Sequence, residues 1–366
     1  DREASQAVHT AAALALAGGA LFTVMGIAFS PVILRWMGTP ADVLVHAEVY
    51  VRIYFAGMIP SLIYNVGAGL LRAVGDSRRP LYFLISACMV NIVLDVLLVV
   101  GLEMGVAGAA LATIFSQTVS AVLVVITLLR SHQVYRLEPR KIRFYGNLLD
   151  RIVRIGFPAG LQSVMYSLSN IIIQASINAF GTNVVAAYTA YGKLDGLYWM
   201  MINAFGVSIT TFVGQNFGAG KYDRMRRSVR VCLLMTFGAT VLMSGFFLLL
   251  GGQLYRLFTD DAEVIALGMQ ILRLLVPTYV TYICIEVLAG AMRGTGDSLI
   301  PTLFTLTGVC LLRVVWVMGV APAYHSLTVV LLSYPITWTV TSVLFVIYYL
   351  KGGWLKRSIG KARLEA

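Results

Sequence analysis

Apolar runs long enough to cross a bilayer follow one another along almost the whole chain, and no other feature limits the possible folds as strongly. A spanning helix needs about 20 mainly apolar residues. Between Gly, Pro and charged punctuation, ten such runs fall at 9–33, 46–71, 80–101, 106–130, 153–180, 184–213, 228–251, 264–292, 301–321 and 327–350. Unpaired backbone groups cannot face lipid, and the alternating strand pattern of a membrane barrel is missing. The expected fold class is therefore all-α, a polytopic membrane helix bundle. The balance of residue types agrees: 58% are hydrophobic and only 12% charged, about half the charge of a soluble chain, with a mean hydropathy of +0.81.

A net charge of +11 could suggest nucleic-acid binding, so the placement of the basic residues decides. Of the 28 Lys and Arg residues, 22 sit in every second connection: at Arg2, 72–79, 130–154, 221–230, Arg293 and 351–363. The intervening connections at 37–42, 101–105, 180–183 and 321–325 carry none. This alternation is the positive-inside pattern of a membrane protein. It predicts a multi-pass chain with both ends cytoplasmic, the lipid bilayer as its surroundings and no nucleic-acid partner.

An internal repeat is equally informative. At a constant offset of 221, thirteen residues from Arg35 to Phe83 meet identical partners from Arg256 to Phe304, and the cluster RxxGDSxxP recurs whole at 72–80 and 293–301. The cluster reads as a tight turn, with Gly taking the unusual dihedrals, Asp and Ser capping and Pro opening the next helix. The polar stretch around 131–152, with seven basic residues between 130 and 154, reads as a linker. Six helices follow it and four precede it. The expectation is two pseudo-symmetric lobes in a six-helix parallel repeat, with ten of twelve helices present and roughly 70 residues missing ahead of residue 1. The lobes are 1–135 and 153–366, joined by a cytoplasmic linker at 136–152.

Energy coupling is narrowed by what the sequence lacks. GQNFGAGK (214–221) resembles a phosphate loop, but Gln215 holds the first Gly position and Tyr222 the Ser/Thr position, so no nucleotide is expected. The four cysteines, Cys88, Cys232, Cys284 and Cys310, and the four histidines are scattered, without metal-ligand spacing. No nucleophile or acid–base pair marks an enzyme.

A carboxylate inside a bilayer costs about 2.5–3.5 kcal/mol on insertion scales and needs a partner or a function. Asp95 lies one turn from Asn91 on the same helix face, and Thr113 falls at a similar depth on the next helix. A carboxylate, an amide oxygen and a hydroxyl suit a sodium ion or a protonated acid; a polar knot between helices is the alternative. Glu286, two turns before Arg293, faces either a cavity or the cytoplasmic side. Asp195 and Lys193 are splayed by their spacing, and Asp195 is the better placed to meet a cationic ligand. Arg313 bridges helices or snorkels. Ser163, Ser167, Asn170, Gln174 and Asn178 share one helix face, and the next helix adds Tyr188, Tyr191, Asp195, Tyr198 and Trp199. Together they form either a wall for flat aromatic cations or helix-packing and interfacial groups.

RAVGDSRRPLYF (72–83), NIVLD (91–95), GVAGAALATIFSQ (105–117), VVAAYTAYGKLDGL (184–197), TTFVGQNFGAGKYDR (210–224) and RGTGDSLIPT (293–302) together resemble the multidrug and toxic compound extrusion (MATE) transporters. The resemblance covers nearly the whole chain. It implies a bacterial inner-membrane, monomeric, secondary active multidrug efflux antiporter. Such a protein exports small organic cations against sodium ions or protons by rocker-switch alternating access, with no cofactor beyond the coupling ion. Carried over, Asn91, Asp95 and Thr113 are the cation-coupling site, ligating the metal if the ion is sodium. Glu286 is a possible second coupling acid, and Ser163, Tyr166, Asn170, Gln174, Tyr191, Asp195 and Trp199 line the substrate cavity. Tyr166 stands where the NorM-like branch carries an acid, which implies a DinF-like coupling through the N-terminal lobe. The alternative is a flippase for lipid-linked cell-wall or polysaccharide precursors of the same superfold, which needs a basic cavity.

Overall fold

The computed structural model describes residues 2–36 and 41–365; most of the MGTPAD connection (37–42) lies outside them. All regular structure among the described residues is helical. The chain divides into two units, Asp1–Ile152 and Val153–Ala366.

The first unit contains α1 (Arg2–Trp36), α2 (Ala41–Ala56), α3 (Met58–Ala73), α4 (Arg78–Gly101) and α5 (Gly105–Arg130). The single span expected at 46–71 is broken, since α2 and α3 meet at Gly57 with a 46° bend. A Cβ at Gly57 would lie 2.6 Å from Ile114 Cγ1, so the bend rests against α5 at a point where only glycine fits. Gly19 plays a similar part on α1, where a Cβ would come within 2.9 Å of the Ile59 backbone.

The second unit holds α6 (Gly146–Asn178), whose first turns belong to the first unit, then α7 (Thr182–Gly218), α8 (Tyr222–Arg256), α9 (Ala262–Gly294), α10 (Leu299–Tyr324), α11 (Leu327–Leu350) and the short α12 (Gly353–Glu365). Helix α6 begins inside the stretch read as linker. The rest of that stretch is a 3₁₀ turn, Pro139–Lys141, and loop. The loop is pinned to α1 by His9, whose Nδ1 meets Ser5 O at 2.6 Å while Nε2 accepts the Glu138 backbone N–H at 3.0 Å.

Eight of the described helices are long and apolar enough to span a bilayer, and the bent α2–α3 pair makes a ninth. The tenth expected span, α6, is 33 residues long, but its polar face lowers its hydropathy. Large apolar side chains point outward, with Leu242 at 76% and Leu249 at 85% exposure, as a lipid-facing surface requires. The core of the second unit is aromatic, with Tyr198, Tyr279, Trp338 and Phe345 fully buried.

Both copies of the repeated cluster make the same turn. Gly75 and Gly296 have φ of 91° and 85°. The next N–H, of Asp76 or Asp297, closes on Leu71 O at 2.9 Å or on Met292 O at 3.1 Å, the six-to-one bond of a helix-ending glycine motif. One expectation needs correcting: Ser77 and Ser298 make no side-chain cap bond. In the first copy Asp76 Oδ1 takes the Arg79 N–H instead, at 3.1 Å. GQNFGAGK is a turn of the same kind, with Gly220 at φ 69° and Lys221 N bonded to Asn216 O at 2.8 Å. Its amides are thus used to end α7.

Candidate functional site

In the first unit, α4 runs as an α-helix to Asp95 and continues as a π-helical stretch, Val96–Gly101. An added residue in a helix turn of this sort often marks a functional position. Helix α5 packs against this end because Gly108 has no side chain; a Cβ there would meet Leu98 O at 3.0 Å. Asn91 and Asp95 are half-buried on α4 and Thr113 is half-buried on α5. The Thr113 hydroxyl donates to Ala109 O at 3.0 Å and keeps its lone pairs free. The Asn91 side-chain nitrogen is buried without a partner. Among the described residues, no hydrogen bond or ion pair engages the Asp95 carboxylate. The unpaired Asp95 carboxylate and the Thr113 hydroxyl on the neighbouring helix offer oxygens that suit a small cation or a proton, while the orphaned Asn91 nitrogen is a hydrogen-bond donor.

The 221-residue offset carries this site to Leu312, Trp316 and Tyr334. The second copy keeps the backbone device, a π-helical stretch at Trp316–Val320, but not the chemistry. Arg313, 2% exposed, lies next to Leu312. Its guanidinium carbon is 4.4 Å from the Tyr334 ring centroid, and Nη2 lies 3.4 Å from the Thr337 hydroxyl. The second unit therefore holds a cation of its own where the first has an open carboxylate.

Asp195, on α7, is fully engaged. Oδ1 accepts from Tyr279 at 2.6 Å and Tyr191 at 3.1 Å, and Oδ2 accepts Trp199 Nε1 at 2.8 Å. Tyr279 lies in the 3₁₀ stretch Val276–Thr281 of α9, where Pro277 lacks the N–H that an α-helix would use. Stacking on Tyr198, with ring centroids 3.9 Å apart, holds it in place. Trp199 meets Tyr282 edge-on at 4.7 Å, and the Tyr282 and Tyr166 hydroxyls are 3.2 Å apart. Tyr166, Tyr191, Asp195 and Trp199 thus belong to one inner aromatic cluster. Ser163 and Asn170 are exposed on α6, and Gln174 donates to Asn178 Oδ1 at 2.8 Å. Among the described residues, no hydrogen bond joins Ser163, Asn170 or Gln174 to that cluster. A cavity of about 620 Å³ between α7 and α8, lined by Phe205, Phe212, Arg224 and Arg227 among others, includes none of them.

Glu286, on α9, lies 3.3 Å from Arg293 Nη2, and both side chains are largely buried. A Cβ at Gly206 would fall 2.1 Å from Glu286 Oε1, so α7 carries glycine where the acid approaches it. Sequence reasoning passed over Tyr279, Tyr334 and His9. Tyr334 could have been found by carrying Thr113 across the repeat offset, whereas Tyr279 sits in an apolar run with no distinguishing pattern.

The family model described as MatE matches residues 1–97 and 158–318. The chain belongs to the MatE family. The matched stretches end at 97 and 318, separated by the same 221 residues as the sequence repeat. "Probable multidrug resistance protein YoeA" of Bacillus subtilis is 28% identical over 354 residues, covering 93% of this chain and 75% of that protein. "Probable multidrug resistance protein YpnP" of the same organism is 29% identical over 292 residues, covering 80% of this chain and 65% of that protein. The chain thus spans roughly two thirds to three quarters of the length of these relatives. Among solved structures, a multidrug resistance MATE transporter of the MOP superfamily in an outward-facing conformation superposes with a TM-score of 0.88 at 23% identity, over 96% of this chain and 79% of that one. A MOP superfamily transporter from Pyrococcus furiosus gives 0.87 at 22%, over 97% and 84%. These structures share the fold, a MATE-type membrane helix bundle. Membership makes this MATE chain a multi-pass membrane transporter and not an enzyme.

Proposed function

We propose that this MATE protein exports organic cations, multidrug substrates among them, in exchange for sodium ions or protons, and that the coupling ion binds at Asn91, Asp95 and Thr113. The observation that carries the reading is the Asp95 carboxylate, membrane-embedded at the start of a π-helical stretch and without a hydrogen-bond or ion-pair partner among the described residues. Burying such a charge is costly, and an arriving cation or proton removes the cost. Ion binding and drug binding then favour different states of an alternating-access cycle, and that difference in affinity is what lets a gradient drive export. The alternation of basic connections supports a cytoplasmic position for both ends of the chain. The names of the Bacillus relatives support the substrate class. The flippase reading is weakened, because Arg313 lies against the Tyr334 ring and its Nη2 meets Thr337, although its Nε has no partner among the described residues.

The test is ethidium efflux from vesicles containing the full-length protein, under an imposed sodium or proton gradient, with Asp95→Asn alongside. Efflux driven by one ion and lost in the variant, with ethidium binding retained, is the expected result. Unchanged efflux in Asp95→Asn overturns the coupling site. No efflux under either gradient, from protein shown to be folded, overturns the antiporter and favours the flippase.

A further inference from the structure

The polar cluster around Asp195 is not needed to hold the coupling ion at Asp95, yet it is more elaborate than a packing contact requires. Three oxygens lie mutually within hydrogen-bond reach: Asp195 Oδ1 to Tyr279 Oη at 2.6 Å, Tyr279 Oη to Tyr191 Oη at 3.0 Å, and Tyr191 Oη to Asp195 Oδ1 at 3.1 Å. We propose that Asp195, Tyr191 and Tyr279 form a proton-accepting site in the second half of the transporter, which takes up and releases one proton during the transport cycle. The inference rests on the antiport reading above and adds a second ion-binding step to it.

With Asp195 ionised, two phenol protons serve three oxygens; both point at Oδ1, and Trp199 Nε1 satisfies Oδ2 at 2.8 Å. Adding one proton to Oδ1 makes three donors for three acceptors, and a closed ring becomes available. In that ring the carboxylic acid donates to Tyr279, Tyr279 to Tyr191, and Tyr191 back to Oδ1. No covalent bond other than the new O–H forms, none breaks except in the hydronium that delivers the proton, and no heavy atom needs to move. Neither state leaves a buried polar atom of the ring unpaired, the condition whose violation costs about 1–3 kcal/mol. Phenols can donate or accept, which is why two tyrosines serve where tryptophan or arginine would hold only one state. Tyr191 and Tyr279 are buried at 3% and 0% exposure, whereas Asp195 is half-buried as a residue.

The charged and titratable groups facing the ring come from several helices. Helix α7 contributes Tyr188 and Tyr198, while Lys193 on the same helix is exposed. Helix α10 contributes Arg313, whose guanidinium carbon lies 4.4 Å from the Tyr334 ring centroid. Helix α11 contributes Tyr334, which bonds Tyr188 at 2.6 Å and lies under Arg313. Helix α9 contributes Tyr282 and, two turns past Tyr279, Glu286, which is occupied by Arg293. The ring therefore has one nearby fixed positive charge, held off by a tyrosine ring rather than in contact. Both protonation states stay accessible in that setting, where a direct guanidinium pair would lock the anion.

Infrared difference spectra of the full-length protein in vesicles, recorded on stepping the pH down, test the site without relying on transport. A hydrogen-bonded carboxylic acid C=O band is expected in the parent and in Asp95→Asn, absent in Asp195→Asn, and shifted in frequency in Tyr279→Phe and Tyr191→Phe. The two phenylalanine variants, which keep ring stacking, should also displace the pH profile of proton-driven efflux, by about one unit or more. Spectra of Asp195→Asn that keep the band overturn the site. So do phenylalanine variants that leave both the band and the pH profile unchanged. Loss of coupling in Asp95→Asn bears on the antiport reading alone, because the Asp195 band is read independently of it.

Discussion

Helices α7 and α9 approach each other along glycines, and Gly294→Ala is the substitution whose cost the structure defines best. A Cβ at Gly294 would lie 2.6 Å from Thr210 O and 3.1 Å from Gly214 N, against the 3.4 Å at which ordinary contact begins. The new atom faces backbone, which cannot rotate away, so the helices must part by about 0.8 Å, the shortfall between 2.6 Å and 3.4 Å. Forcing a methyl into a packed interface costs about 1–3 kcal/mol. Parting the helices also strains the bond from Thr210 Oγ1 to Gly290 O, now 3.0 Å; an interhelical bond of that type averages about 0.6 kcal/mol. The expected total is therefore about 1.5–3.5 kcal/mol. Gly192→Ala on α7 is the control, since nothing lies within 4 Å of its Cβ position. Thermal unfolding of both variants and the parent in one detergent checks the reasoning. Gly294→Ala should melt clearly below the parent and Gly192→Ala at or slightly above it, and equal melting of the two variants would refute the close-approach argument.

Two further substitutions separate contacts that sequence alone does not reveal. His9→Phe keeps the ring but removes the acceptor for the Glu138 N–H, leaving that donor unpaired at a cost of about 1–3 kcal/mol. Trypsin should then cut faster at Arg136, Arg140 or Lys141, and an unchanged cleavage rate would show that His9 does not hold the loop. Tyr334→Phe loses only the 2.6 Å bond to Tyr188, about 1 kcal/mol, whereas Tyr334→Leu also removes the ring beneath Arg313, worth roughly 2 kcal/mol more at a desolvated site. The order of their melting temperatures reports whether the guanidinium depends on the aromatic face, and the reverse order would rule that out.

Spans and repeat were legible in the sequence because each rests on a property that accumulates along the chain: apolar length for the spans, identity at fixed offset for the repeat. The breaks inside spans were not, since a bend depends on what a neighbouring helix presents. Gly57 has no local signal beyond being glycine, and its reason is Ile114 on α5. Likewise, the start of α6 at Gly146 was hidden because a polar, basic stretch reads as loop whether or not it is helical. At the candidate site, Asn91 and Asp95 could be placed together from helical spacing, and Thr113 from the symmetry of its hairpin. That Asp195 is already satisfied by Tyr279, 84 residues away, could not be read from any local pattern.

The duplicated backbone also shows how one architecture can carry different electrostatics in its two halves. Both copies keep the glycine turn and the π-helical stretch, features that constrain backbone geometry and tolerate little change. Side chains on that shared frame diverged. The first copy leaves Asp95 open, whereas the second places Trp316 at its equivalent and buries Arg313 three residues earlier, under Tyr334, the counterpart of Thr113. A buried guanidinium repels a second cation, so the replica position in the second half is closed to the ion that the first half is proposed to bind. Any proton exchange in the second half therefore has to occur at an acid outside the replica, and Asp195, on a helix beyond the aligned repeat, is placed to provide it. If Asp195 fails the infrared test, the second half is left as a rigid counterpart to the ion-responsive first half, and the asymmetry of charge becomes an asymmetry of roles.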